Sequence, residues 1–421
     1  MVKLDKSPSF GFEHPTRPTR PDRPEPTQPG AHLSLLQQIP HTTLSSRTRF
    51  SASTNALRKK KPSPSPETEP TSMLLSLPYD LLLNCLARVS KLHYPTLSLV
   101  SKTFKSVIAS PELYETRSLI NRTESCLYLC LRFPLDPNTY WFTLCRTPNR
   151  GNLLVPIPSP HLPPTESSCL VAVGSEIYKL GGDRVSSCRV SVLDCKSNKW
   201  RQAPSMRVDR SYSLTASSLD GKIYVAGGCE DVNFSNWVEV FDPKTQTWGS
   251  VMNPGIDKRH GGEIKSLGLD GKFYLFGDDE FVVYDPKEGR CNTIGLDSDM
   301  ACAVSFSDSV VDEVLFFWDD GVFKWYDSKA RLWKKLNGVE GLPDFCHCLM
   351  VDVGGKMMVL WDEFVYYSTR LQENVIWCAE ISLERRGDGD EIWGKVEWFD
   401  AVLPVHKSCH LVYAAGLSAT L

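Results

Sequence analysis

The sequence predicts a mainly β chain built of repeated sheets, preceded by a small helical module and a disordered N-terminal arm. Three observations predict it. Two linked elements recur four times between residues 174 and 333. A short segment near residue 80 switches to helical periodicity, and everything before residue 73 shows no apolar periodicity at all. The chain of 421 residues has room for such a repeat domain plus a small one.

Residues 1–72 contain "TRPTRPDRPEPTQPG" and "KKKPSPSPETEPTS". Pro-rich polar sequence of this kind buries too little apolar surface to offset its ordering entropy, so disorder is expected. The charge is lopsided: Met1–Lys61 holds eleven Lys/Arg against four Asp/Glu, a net of +7, which leaves −10 for the rest of a chain whose total is −3. "RKKK" (Arg58–Lys61) reads as a solvated linker cluster or an import run. Met73 stands directly before the first structured segment and could itself start translation.

The helical module follows. In "LPYDLLLNCLARV" (Leu77–Val89) the apolar residues Leu81, Cys85, Val89, Leu82, Leu86, Tyr79 and Leu83 sweep roughly 200°, twice what one core requires. Something must cover the second side of this helix. Pro95 marks a second helix with Leu97, Val100, Phe104, Val107 and Ile108 as its stripe and Leu99 off it. Ser110-Pro111-Glu112 has the composition of a third start.

From residue 124 the pattern becomes alternating strands broken by turns. "SEIYKLGG", "GKIYVAGG" and "GKFYLFGD" align, with "EVLFFWDD" and "KMMVLWDE" as weaker copies. A second element tracks the first, with an Asp six residues before an aromatic or Cys: Asp194 and Trp200, Asp242 and Trp248, Asp285 and Cys291, Asp327 and Trp333. The Asp-to-Asp steps are 48, 43 and 42 residues. Paired glycines permit close backbone approach at a strand exit. The Asp begins a turn, and the Trp is expected to return as a plug between adjacent sheets.

This period, the double glycine and the Asp-x5-Trp element resemble kelch repeats, which imply a kelch-type β-propeller, here of six blades over residues 118–421. The module at residues 73–117 resembles an F-box at Leu77-Pro78, Leu82, Leu86, Leu99-Val100-Ser101-Lys102 and Phe104, with Ser101 where cysteine is frequent and Phe104 where tryptophan is frequent. Together they resemble the plant F-box/kelch-repeat family. The resemblance implies a non-catalytic substrate receptor of a Skp/cullin/F-box ubiquitin ligase. Its F-box would dock on a Skp-type adaptor, and through it on a cullin, by Leu77, Pro78, Leu82, Leu86, Leu99, Val100 and Phe104. The apolar arc of the first helix would then face its own module on one side and the adaptor on the other.

Other classes find less in the sequence. Near-neutral charge gives no reason for nucleic-acid binding, and no apolar run approaches the roughly 20 residues of a membrane span. The N-terminus lacks the apolar core of a secretory signal. Fourteen cysteines without a C-x-x-C pair read as reduced, buried thiols of a cytoplasmic or nuclear protein. Cys346, His347 and Cys348 find no second Cys/His pair at zinc spacing, so no metal and no cofactor are expected. A metal-dependent kelch-propeller enzyme and an interaction scaffold outside a ligase remain the alternatives. For the receptor, a charged substrate face is expected where the second strand of each blade ends: Glu230, Asp231, Asp278, Asp279, Glu280, Asp319, Asp320, Asp362 and Glu363 would give −9 there and favour a basic protein substrate.

Overall fold

Six sheets of four antiparallel strands make up the β domain of the computed structural model. It describes residues 77–132, 138–148, 151–159, 169–182, 185–211, 214–229, 236–251, 264–276, 281–294, 309–319, 321–366, 372–387, 391–406, 411 and 414–421. The predicted arm at 1–72 lies outside the described residues.

Blade 1 joins the two ends of the domain. β1 (Ser125–Arg132), β2 (Thr139–Thr147) and β3 (Gly151–Ile157) come first in the chain, and β24 (Ala414–Thr420) comes last. β24 pairs with β1 from Ser125↔Thr420 to Leu131↔Ala414, which closes a six-bladed propeller and removes its open seam. Blade 2 is β4 (Leu170–Val173), β5 (Glu176–Leu180), β6 (Val190–Asp194) and β7 (Lys199–Ala203). Blade 3 is β8 (Thr215–Leu219), β9 (Lys222–Ala226), β10 (Val238–Asp242) and β11 (Thr247–Ser250). Blade 4 is β12 (Lys265–Leu269), β13 (Lys272–Phe276), β14 (Phe281–Asp285) and β15 (Arg290–Ile294). Blade 5 is β16 (Ser309–Val311), β17 (Val314–Asp319), β18 (Val322–Asp327) and β19 (Leu332–Lys335). Blade 6 is β20 (Leu349–Asp352), β21 (Met357–Tyr366), β22 (Gln372–Arg386) and β23 (Glu391–His406).

The repeated Asp sits where the third strand of a blade turns into the fourth. Asp194, Asp242, Asp285 and Asp327 each accept a hydrogen bond from the backbone N–H two residues on, at 3.0, 2.9, 2.9 and 2.9 Å. Four residues after each Asp, the chain takes a left-handed φ of 52°, 57°, 65° and 55° at Asn198, Gln246, Gly289 and Arg331. The carboxylate thus stands in for a backbone acceptor and nucleates the same hairpin four times. The tryptophans then return half-buried. Trp200 meets Trp141 of blade 1 edge-on at 5.4 Å. Trp248 packs 4.9 Å from Phe241 and donates its Nε1–H to the Pro204 carbonyl at 2.9 Å. Trp333 lies 5.5 Å from Tyr326.

The glycines serve close approach. Gly228 has a φ of +67°, and a Cβ there would stand 2.5 Å from the Ser211 carbonyl oxygen. The Ser211 N–H in turn donates to the Gly228 carbonyl at 2.8 Å. Gly174 has a similar φ of +56° but open space around it. Gly228→Ala should therefore destabilise the propeller by about 3 kcal/mol, and Gly174→Ala by about 1 kcal/mol, in denaturant unfolding. Equal losses at the two sites would contradict the close-approach argument.

The helical module contains four short helices rather than three: α1 (Tyr79–Ala87), α2 (Tyr94–Leu97), α3 (Lys102–Ile108) and α4 (Pro111–Leu119). The predicted second helix breaks because Ser101 is extended and its Oγ accepts from the Phe104 N–H at 3.1 Å, capping α3. Leu99 and Val100 are left in the exposed turn before the cap.

Candidate interaction surfaces

Two surfaces follow from the chain path. Strand directions alternate within a blade, so the turn after the second strand and the connection to the next blade emerge on one face. The turns after the first and third strands emerge on the other. The helical module packs on the latter face, against blades 1 and 2. One apolar core joins Leu82, Leu86, Phe104, Val107 and Leu113 of the helices to strand residues such as Tyr128, Trp141, Ile177 and Leu193.

Polar contacts fix this junction. Arg117 of α4 donates from Nη1 to the carbonyls of Ala87 and Val89, at 3.2 and 2.7 Å, and so caps the last turn of α1. Its Nη2 reaches Glu124 Oε1 at 2.8 Å, and the same oxygen accepts from the Lys91 N–H. Tyr114 Oη donates to the Lys196 carbonyl at 2.9 Å, across from helix to blade 2. The Lys91 ammonium donates to the Cys195 carbonyl at 2.7 Å and to Tyr128 Oη at 3.0 Å. It lies 5.8 and 5.6 Å from the centroids of the Tyr114 and Tyr128 rings. Burial lowers the Lys91 pKa from its usual value, against the pull of nearby Cys126, Cys195 and Glu124. Burial also pushes the Cys195 and Cys126 thiols up, to about 12 and about 11, which makes them poor nucleophiles.

The structure divides the residues predicted to meet an adaptor into two groups. Leu82, Leu86 and Phe104 are buried in the shared core, where they hold the helices on the blades. Periodicity alone does not say which side of α1 the propeller takes. Leu99 and Val100 are 85% and 54% exposed, Pro78 is exposed and Leu77 half-buried. In α1, Leu81 and Tyr79 are 53% and 50% exposed, and at the end of α4 Leu119 is 84% exposed. Leu81 and Tyr79 were signalled by the over-wide apolar arc; Leu119 had no sequence signal. Among the described residues, five of the eight exposed large apolar side chains belong to the helical module, three in its helices and two in the turn before α3.

The predicted acidic face is only partly visible. Glu230, Asp231, Asp278, Asp279, Glu280 and Asp320 lie outside the described residues. Asp319 ends β17 and pairs with Lys324 across the hairpin. Asp362 and Glu363 are not in a turn. They lie inside β21, opposite Ile376 and Val375, because blade 6 has no counterpart of Gly321, whose φ of +88° turns the chain in blade 5. Asp362 accepts from Asn374 Nδ2 at 2.9 Å and from the Leu411 N–H at 3.5 Å, so it ties blade 6 to the chain leading into β24. Arg210, in the connection from blade 2 to blade 3 on that face, is fully buried. Its side chain meets Glu239 at 3.0 Å and donates to the carbonyls of Gly227, Trp237 and Asn236 of blade 3, while its backbone carbonyl accepts from Gly182 and Ser187 of blade 2 at 3.1 and 2.9 Å.

Comparison with known proteins gives both halves of the chain a family. A model of the F-box domain matches residues 74–116, and a model described as "FKB95, Kelch-repeats domain" matches residues 141–403. The chain is 54% identical over 406 residues to the F-box/kelch-repeat protein At4g39590 of Arabidopsis thaliana, covering 90% of this chain and 99% of that protein. It is 56% identical over 399 residues to the putative F-box/kelch-repeat protein At1g61540 of the same plant, covering 86% and 98%.

Proposed function

Because the chain belongs to the F-box/kelch-repeat protein family, we propose that it is a non-catalytic substrate receptor of a Skp/cullin/F-box ubiquitin ligase, working in the cytoplasm or nucleus. The observation that carries this reading is the concentration of exposed apolar side chains on the helical module. Leu81, Leu99 and Val100, with Pro78 and Leu77 beside them, form the surface that a Skp-type adaptor would cover, and Leu82, Leu86 and Phe104 hold it in shape. The blades supply the second surface, on the face away from the helices, for a protein to be ubiquitinated.

The junction matters to this role. A receptor raises the effective concentration of its captured protein near a ubiquitin donor, and that gain depends on geometry. Lys91, Tyr114, Arg117 and the shared core fix the helices on blades 1 and 2, so the adaptor and the far face would stand at a set distance. The reading is tested by mixing the purified chain with a Skp-type adaptor and measuring the mass of the product. A one-to-one complex is the expected result; two separate species at micromolar concentration would refute the receptor role.

A further inference from the structure

We propose that a row of aromatic rings between blades 5 and 6 is the docking surface for an extended protein segment carrying arginine. This rests on the receptor reading and names the chemistry of what the receptor would take. The row begins at Trp318, at the end of β17, and continues through Phe345, in the connection between β19 and β20, to Trp361 on β21 and Trp377 on β22. Successive ring centroids are 4.4, 4.9 and 6.2 Å apart, with planes only 22°, 18° and 8° from parallel. Phe399 of β23 ends the row, 6.3 Å from Trp377 and 41% exposed. Trp361 is buried, whereas Trp318, Phe345 and Trp377 are each half-buried.

The row lies at the foot of a ledge. In blade 3 the second strand has five residues, Lys222–Ala226, whereas β21 runs ten, Met357–Tyr366. Its extra half pairs with β22 from Asp362↔Ile376 to Tyr366↔Gln372, and β22 pairs onward with β23 as far as His406. The added length is about 16 Å at the rise of a β-strand. This ledge stands on the face away from the helices, where the second strands end.

Carboxylates border the rings. The exposed Asp344 precedes Phe345, and Glu363 lies two residues beyond Trp361, on the same side of the strand, whereas Asp319 faces the other side of β17 from Trp318 and pairs with Lys324. Phe345 already lies between Trp318 and Trp361, so the plane left for a ligand is at the exposed end of the row, Phe399, where a guanidinium can stack while its N–H groups fork to an acid. An ammonium can supply the charge but not the stacking. The protein already places one of its own guanidinium groups in this manner, with Arg386 4.4 Å above Trp393 and its Nη2 bonded to Glu384 at 2.9 Å.

The test uses the full chain and three labelled peptides in which Gly alternates with Arg, Lys or Glu, read by fluorescence anisotropy. The Arg peptide should bind about fivefold more tightly than the Lys peptide, and the Glu peptide should not bind. Phe399→Ala and Asp344→Lys are surface changes that should leave the melting temperature in place and each weaken the Arg peptide about fivefold. No binding of the Arg peptide, equal affinity for Arg and Lys, or an unchanged affinity in Phe399→Ala would overturn the proposal. Adaptor binding by the same preparation is a separate reading. Its persistence without peptide binding would reject this surface alone, and its loss would reject the receptor role.

Discussion

Removal of residues 414–421 should leave a chain that aggregates and no longer unfolds in one cooperative step. Eight residues at a C-terminus resemble a dispensable tail, yet they form the first strand of blade 1. Ala414, Ala415, Ala419 and Leu421 are buried there. Leu421 and Glu124 exchange two backbone hydrogen bonds, at 2.8 and 2.9 Å, and the Thr420 N–H donates to the Gly174 carbonyl of blade 2 at 2.8 Å. On the other side, a Cβ on Gly416 would come within 2.3 Å of Val351 of blade 6. Without this strand β1 becomes an open edge, and blades 6 and 2 both lose a neighbour. Size-exclusion chromatography and a thermal melt decide the matter. A monomeric truncated chain with unchanged stability would contradict closure through β24.

Arg210→Ala should cost about 3–5 kcal/mol in denaturant unfolding. Both Arg210 and Glu239 are fully buried, so truncating the arginine strands a carboxylate and leaves the carbonyls of Gly227, Trp237 and Asn236 short of a donor. Replacing both partners by apolar residues, as in Arg210→Met with Glu239→Leu, should recover much of the loss, because desolvation of the pair itself is costly. A loss below about 1 kcal/mol in Arg210→Ala would show that the pair is not what holds blade 2 to blade 3.

Blades 2 to 5 were legible because their hairpins rest on local chemistry. An Asp that bonds the N–H two residues ahead and a residue that accepts a left-handed φ leave a fixed signature at a fixed spacing. Blades 1 and 6 lack it. β3 gave no separate signal, and "WDE" at 361–363 aligns with "WDD" at 318–320 although only the latter is followed by a glycine. In blade 6 the strand runs on and the turn shifts beyond Tyr366.

The helical surface was half legible for a related reason. Periodicity shows that α1 has apolar residues on two sides, but which side the sheets bury depends on where blades 1 and 2 stand. Leu82 and Leu86 turn inward, and Leu81 and Tyr79 turn outward. The break at Ser101, which exposes Leu99 and Val100, follows from one side-chain cap that competes with helix propagation. Aromatic residues far apart in sequence, from Trp318 to Phe399, could not be joined into one row until the register of blade 6 was known.

The central claim is that the exposed side of the helical module, and not its buried one, holds the adaptor. Its most direct test is the affinity of a Skp-type adaptor for the chain carrying Leu99→Asp and Val100→Asp, measured beside its melting temperature. Buried anchors at interfaces commonly lose about 2 kcal/mol or more when removed, so the double change should reduce affinity at least about a hundredfold. Because both side chains face solvent in the free protein, the melting temperature should not move. Adaptor affinity retained in this variant would contradict the account.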